Sequence, residues 1–89
     1  MIELVMIKML GCGPCEYIEP IAKKITEENN FKFKVIIGQD MPKQLRPYMY
    51  PYFYIYKDKK ILDHWAGSNE NKLKYNIKKY DSKNINETS

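Results

Sequence analysis

Cys12-Gly13-Pro14-Cys15 is the stretch of this chain whose residue types can do chemistry, because two thiols three residues apart can close into a disulfide and reopen. At the start of a helix, side chains at i and i+3 lie about 5–6 Å apart between Cβ atoms, and a disulfide needs roughly 3.5–4.5 Å. A small local adjustment therefore closes the bond without rebuilding the fold. Pro14 suits the first helical turn, since its φ is preset and it has no N–H to lose. Gly13 lets the backbone turn sharply just ahead of it. The chemistry this arrangement offers is thiol–disulfide exchange. Thiolate is the attacking species and a helix N-terminus favours negative charge. Cys12, just ahead of the helix, is thus expected to be the more exposed thiol and the nucleophile, with Cys15 in the first turn as the resolving thiol.

Such a pair needs a strand before it and a helix after it. Residues 2–9 are mostly apolar without alternation, as in a strand buried on both faces, and lead directly into Gly11-Cys12. From Pro14 to Asn29, Ile18, Ile21, Ala22 and Ile25 follow helical spacing, and Asn29-Asn30 ends the run. Residues 31–37 read as a second strand, parallel to the first through a right-handed crossover. Gly38 to Pro47 reads as a loop with one irregular helical turn. Tyr52 to Tyr56 and Lys60 to Trp65 read as a β-hairpin across Lys57-Asp58-Lys59, completing a mixed sheet. Ser68 is a possible N-cap for a closing helix whose apolar stripe is Leu73, Ile77 and Tyr80. The expected organisation is one α/β domain over residues 1–80 and a polar, frayed tail over 81–89, in which Asn86-Glu87-Thr88 matches a glycosylation sequon.

Composition narrows the setting. A chain of 89 residues has room for a single core. Both of its cysteines belong to the motif, so no structural disulfide framework is available and a reducing cytoplasm is the natural compartment. The first residues carry an early acid, Glu3, and no basic run, unlike a signal peptide or a membrane span; a soluble protein is expected. The formal charge of +4 comes from lysines scattered along the chain, which read as solvated faces with a broad preference for acidic protein partners, not as a nucleic-acid arm. Zinc needs four ligands, and beyond the motif there is no further Cys and a single histidine, His64, which disfavours a metal site within one chain. His64 and Trp65 read as packing or surface residues.

The order βαβ then ββα, with the dithiol at the first strand-to-helix junction, resembles the thioredoxin fold in the trimmed form of glutaredoxins and the smallest thioredoxins. The resemblance covers residues 2 to about 80. Cys-Gly-Pro-Cys is the motif typical of thioredoxins, and Pro20 falls where they place a helix-kinking proline. Tyr50-Pro51 stands where the family carries a cis-proline opposite the dithiol, and Gly67 fits the glycine after the hairpin. The resemblance implies a minimal thioredoxin fold with a mixed four-stranded sheet flanked by helices. It implies a redox disulfide Cys12–Cys15, substrate contacts at Gly13, Pro14, Tyr50 and Pro51, and no bound cofactor or metal. It also implies disulfide-containing protein substrates, a reductase or glutathione as electron source, and a monomer serving electron transport and cell redox homeostasis.

The chain departs from thioredoxins at three positions. Gly11 replaces the tryptophan before the first cysteine, Met6 replaces the buried aspartate that assists proton transfer, and Glu16 stands where a basic residue is common. A carboxylate there opposes thiolate formation in part, which leaves thiolate stabilisation to backbone N–H groups. Two other readings stay open. A glutathione-dependent glutaredoxin fits the lack of counterparts to the thioredoxins' first strand and helix, although Ala66-Gly67-Ser68-Asn69-Glu70 matches the glutathione-binding turn only loosely and Lys8 is the nearest cation before the motif. A non-catalytic binding module, or a dimer bridging a metal centre through Cys12, is the other. The aromatic cluster Tyr48, Tyr50, Tyr52, Phe53 and Tyr54 reads as alternating core residues, with a docking surface as the competing reading.

Overall fold

A strand without a polar face belongs inside a sheet, and in the computed structural model, which describes residues 2–80, that is where β1 (Glu3–Lys8) lies. It pairs in parallel with β2 (Lys32–Ile37) and antiparallel with β3 (Tyr52–Lys57), which pairs antiparallel with β4 (Lys60–Ala66). The sheet order is β2-β1-β3-β4. Two helices complete the fold: α1 (Gly13–Glu28) and α2 (Glu70–Lys79). The mixed four-stranded sheet and its two helices are those the sequence predicts. The expected tail and its sequon lie outside the described residues.

Alternation along the strands sorts the residues into two faces. Leu4, Met6, Phe53, Ile55 and Trp65 form one core cluster with Ile18, Ala22 and Ile25 of α1 and with Leu73 and Ile77 of α2. Both helices therefore cover the same face. Each fully buried aliphatic side chain there contributes about 1.5–3 kcal/mol of transfer free energy. The opposite face carries Val5, Ile7, Ile36, Tyr54 and Tyr56, with Met41 and Leu45 of the β2–β3 connection, around a groove of about 590 Å³.

The helix ends have local causes. Asn29 donates its side-chain amide to the Ile25 carbonyl, and Asn30 takes φ 59°, so the chain leaves α1 where the sequence predicts. Pro20 is accommodated within α1, which runs on for two further turns. Three expectations are corrected. The α2 cap is Asn69, whose side-chain oxygen accepts the Lys72 N–H at 2.9 Å, and not Ser68. The β3–β4 turn has two residues, Asp58 and Lys59, both with positive φ, because Lys57 and Lys60 still pair. The single irregular turn expected between Gly38 and Pro47 is two separate 3₁₀ turns, Gly38–Asp40 and Lys43–Leu45, with Pro42 between them.

Candidate active site

The C-terminal end of β1 delivers the dithiol. Gly11, with φ 79°, turns the chain out of the strand, and Cys12 stands as N-cap of α1 in extended conformation. Cys12 and Cys15 are joined by a disulfide, with Cα atoms 5.2 Å apart. The sulfur of Cys12 accepts the Cys15 backbone N–H at 3.2 Å, replacing the side-chain oxygen that caps most helices. The Cys12 carbonyl accepts the Glu16 N–H at 3.1 Å, and the Cys12 N–H donates to the Met9 carbonyl at 3.3 Å. Cys15 is wholly buried within the core cluster, whereas Cys12 is half-buried. Gly13 and Pro14 are exposed beside them. The unequal exposure is the one expected from the place of Cys12 just ahead of the helix.

Tyr52 at the start of β3 pairs with Ile7 near the end of β1, which puts Pro51 at the same end of the sheet as the dithiol. The Tyr50–Pro51 peptide bond is cis, Pro51 is buried, and its carbonyl accepts the Gly67 N–H at 2.8 Å. Tyr50 is half-buried and packs against the same core cluster as Cys12. Its ring also lies against Gly38 and Met9: a Cβ at Gly38 would stand 2.9 Å from Tyr50 Cε1 and 2.8 Å from Met9 Sδ. Gln39 adds a second tie from this segment to the motif loop, its side-chain oxygen accepting the Leu10 N–H at 3.2 Å. Arg46 holds the segment in turn through the carbonyls of Gln39 and Met41.

Charge is arranged sparingly here. Met6, opposite Phe53 and Val35, is fully buried, so an apolar side chain occupies the position where the family carries an aspartate. Glu16 is exposed in the first turn of α1. Lys8 is held by Glu19 of α1 at 2.6 Å, which commits the cation that flanks the motif most closely in sequence. Exposed apolar residues adjoin the site's segments in sequence: Leu10 just before the motif, Tyr48 and Met49 just before the cis peptide.

Of the remaining aromatic residues, Phe53 and Trp65 stack in the core, and Tyr52 and Tyr54 lie on the opposite sheet face. His64 accompanies them there, its Nδ1 2.7 Å from the Tyr52 hydroxyl, and takes no part in the dithiol site. The cluster thus divides as alternation predicts, with Tyr50 packed against the core cluster at the active-site end and Tyr48 edge-on to Tyr52, their ring centroids 6.0 Å apart. Gly38, Met9 and Gln39 have no counterpart in the sequence reading. The available signal was a glycine at the end of an apolar strand whose backbone does not need one.

Comparison with known proteins agrees with this geometry. The thioredoxin family's sequence profile matches residues 4–79. A thioredoxin from Coprinus comatus is 31% identical over 74 residues, which is 76% of this chain and 70% of that protein. Thioredoxin f2 of Chlamydomonas reinhardtii superposes with a TM-score of 0.79 at 25% identity, covering 89% of this chain and 78% of the other. Fasciola hepatica thioredoxin gives 0.75 at 26% identity, covering 89% and 80%. With the fold, the capped Cys12–Cys15 pair and these relatives in agreement, the chain belongs to the thioredoxin family and is a dithiol–disulfide oxidoreductase.

Proposed function

We propose that the protein reduces disulfides in protein substrates, with Cys12 as attacking thiolate and Cys15 as resolving thiol. In the reduced dithiol, Cys12 attacks one sulfur of the substrate disulfide. The substrate S–S bond breaks, its electron pair leaves on the second substrate sulfur, and a mixed disulfide to Cys12 remains. Cys15 then loses its proton and attacks the Cys12 sulfur, the mixed disulfide breaks, and the second substrate sulfur leaves as a thiolate that takes from solvent the proton Cys12 had released, so the substrate departs with both sulfurs as thiols. Two electrons have passed from the Cys12–Cys15 pair to the substrate. Because Met6 offers no proton acceptor, the substrate thiolate freed in the first step is the natural destination of the Cys15 proton.

The observation that carries this assignment is the asymmetry of the pair: the half-buried Cys12 sulfur receives a backbone N–H at 3.2 Å, while Cys15 is sealed in the core. Gly13 and Pro14, both exposed, border Cys12, and the backbone of Tyr50 before cis-Pro51 offers polar groups to an extended substrate segment. Exchange through the dithiol needs no metal or cofactor.

A reductase specific for the dithiol is favoured over glutathione as electron source, since Glu19 already holds Lys8, the cation that flanks the motif most closely in sequence and a candidate partner for a glutathione carboxylate. A monomer in a reducing cytoplasm, with a couple near roughly −270 mV as in thioredoxin, is the setting this implies. Trapping tests the roles. Cys15→Ser incubated with a disulfide substrate should accumulate a mixed disulfide through Cys12, and Cys12→Ser should not. Accumulation by Cys12→Ser instead would reverse the two roles.

A further inference from the structure

Gly38 has no conformational reason to be glycine, since its φ lies outside the left-handed region, yet it is buried and a side chain there would collide. A Cβ would stand 2.8 Å from Met9 Sδ, 2.9 Å from Tyr50 Cε1 and 3.1 Å from the Tyr50 hydroxyl oxygen. The glycine is therefore a seat for one edge of the Tyr50 ring. That ring joins three segments. Met9 belongs to the loop whose carbonyl holds the Cys12 N–H, Tyr50 carries the backbone leading into cis-Pro51, and Gly38 directly follows β2. The segment around the seat is itself fixed, by Gln39 to the Leu10 amide and by Arg46 to the Gln39 and Met41 carbonyls.

We infer that Gly38 is a positioning residue for protein-disulfide exchange: by leaving room for the Tyr50 ring against Met9, it sets the Tyr50–Pro51 backbone at its working distance from Cys12. The inference rests on the reading that Tyr50 and Pro51 position the substrate. Ala fits the backbone at position 38, so its effect is confined to pushing the ring and the Met9 sulfur. A protein substrate that must lie along the Tyr50–Pro51 backbone feels the displacement. A small disulfide that meets only the Cys12 sulfur does not.

Steady-state kinetics on insulin and on bis(2-hydroxyethyl) disulfide, with Gly38→Ala, Tyr50→Val, the double variant of these two and Pro51→Ala, test this. Gly38→Ala should raise the insulin KM on the order of fivefold with kcat unchanged, a displacement of tenths of an ångström being milder than the hundredfold loss a full ångström can cause. The rate with the small disulfide should stay at the wild-type level. Tyr50→Val should raise the insulin KM by itself, and adding Gly38→Ala to it should change nothing further, because the ring that meets the Cβ is gone. The double variant also remains readable if Gly38→Ala alone folds poorly. An insulin KM unchanged in Tyr50→Val would show that the ring does not set that backbone and would overturn the inference, whereas one unchanged in Pro51→Ala would remove the underlying substrate-positioning reading. A raised KM in Tyr50→Val with none in Gly38→Ala, or equal effects of Gly38→Ala in both backgrounds, would overturn the role of Gly38 alone.

Discussion

The backbone N–H of Cys15 donates to the sulfur of Cys12 across 3.2 Å, so the helix that follows the motif is capped by the atom that is to react. A hydrogen bond to a charged acceptor is roughly twice as strong as one to a neutral acceptor. The contact therefore stabilises the thiolate of Cys12 more than its thiol. Glu16, exposed one turn on, opposes this only through solvent. The Cys12 thiol in the reduced protein should titrate below the free value of about 8.5. The pH profile of its alkylation rate reports the midpoint, and a value at or above that of a free thiol would contradict the capping argument.

The Lys8–Glu19 pair ties the end of β1 to α1 at 2.6 Å with both side chains mostly covered, at 24% and 32% exposure. Exposed pairs contribute about 0.2–1 kcal/mol, and partial burial places this one at the upper end. Glu19→Gln should lower unfolding stability by about 1 kcal/mol, a loss of about 4–8 °C in Tm for a chain of this size. A double-mutant cycle with Lys8→Met isolates the coupling. Additive losses in the cycle would show that the two side chains do not depend on each other.

Asp58 and Lys59 occupy the hairpin turn with φ of 51° and 66°, a left-handed conformation that costs a non-glycine residue about 1–2 kcal/mol. The aromatic and β-branched strands on either side impose this conformation on them. Lys59→Gly should raise the thermal midpoint, with a gain of about 1 kcal/mol, visible in a urea titration as a higher midpoint at unchanged slope. A fall in the midpoint would mean that the lysine side chain contributes more than its backbone costs.

Burial, and then the neighbouring Tyr48, raises the pKa of Tyr52; burial, and then Tyr52 and Tyr56, raises that of Tyr54. Both groups are neutral in folded and unfolded chains below the ordinary tyrosine value of about 10. Above it the unfolded chain ionises first, so their contribution is lost as pH rises from that value through the higher folded one. Lys79 shifts in the same direction through its hydrogen bond to Asp63, but it is fully solvated and adds little. Chemical unfolding at increasing alkaline pH should show stability falling from about pH 10 upward, with a shallower fall in Tyr54→Phe. Stability that held level across that range would contradict the prediction.

Local signals placed most of the site. The dithiol, the unbroken apolar strand before it, the helical spacing of Ile18, Ala22 and Ile25 and the Asn29-Asn30 stop each act within a few residues, and the structure has them where the sequence points. The cap of α2 was not decided locally, because Ser68 and Asn69 are adjacent and both good capping residues, and it is Asn69 that accepts the Lys72 N–H. Contacts between distant segments were beyond pattern. Lys8 meets Glu19 and Tyr50 meets Gly38 only once β1, α1, β2 and β3 are assembled, and nothing in the spacing of these residues announces it. The division of the tyrosines was half legible: alternation separated Phe53 from Tyr52 and Tyr54, but it could not say that both helices would cover one face and leave the other to the tyrosines.

Insulin reduction driven by dithiothreitol tests whether Cys12 is the nucleophile of a protein-disulfide reductase without assuming a physiological reductant. The wild-type protein should accelerate precipitation of the insulin chains, and Cys12→Ser should return the rate to that of dithiothreitol alone. Equal acceleration by Cys12→Ser, or no acceleration by the wild type, would contradict the account.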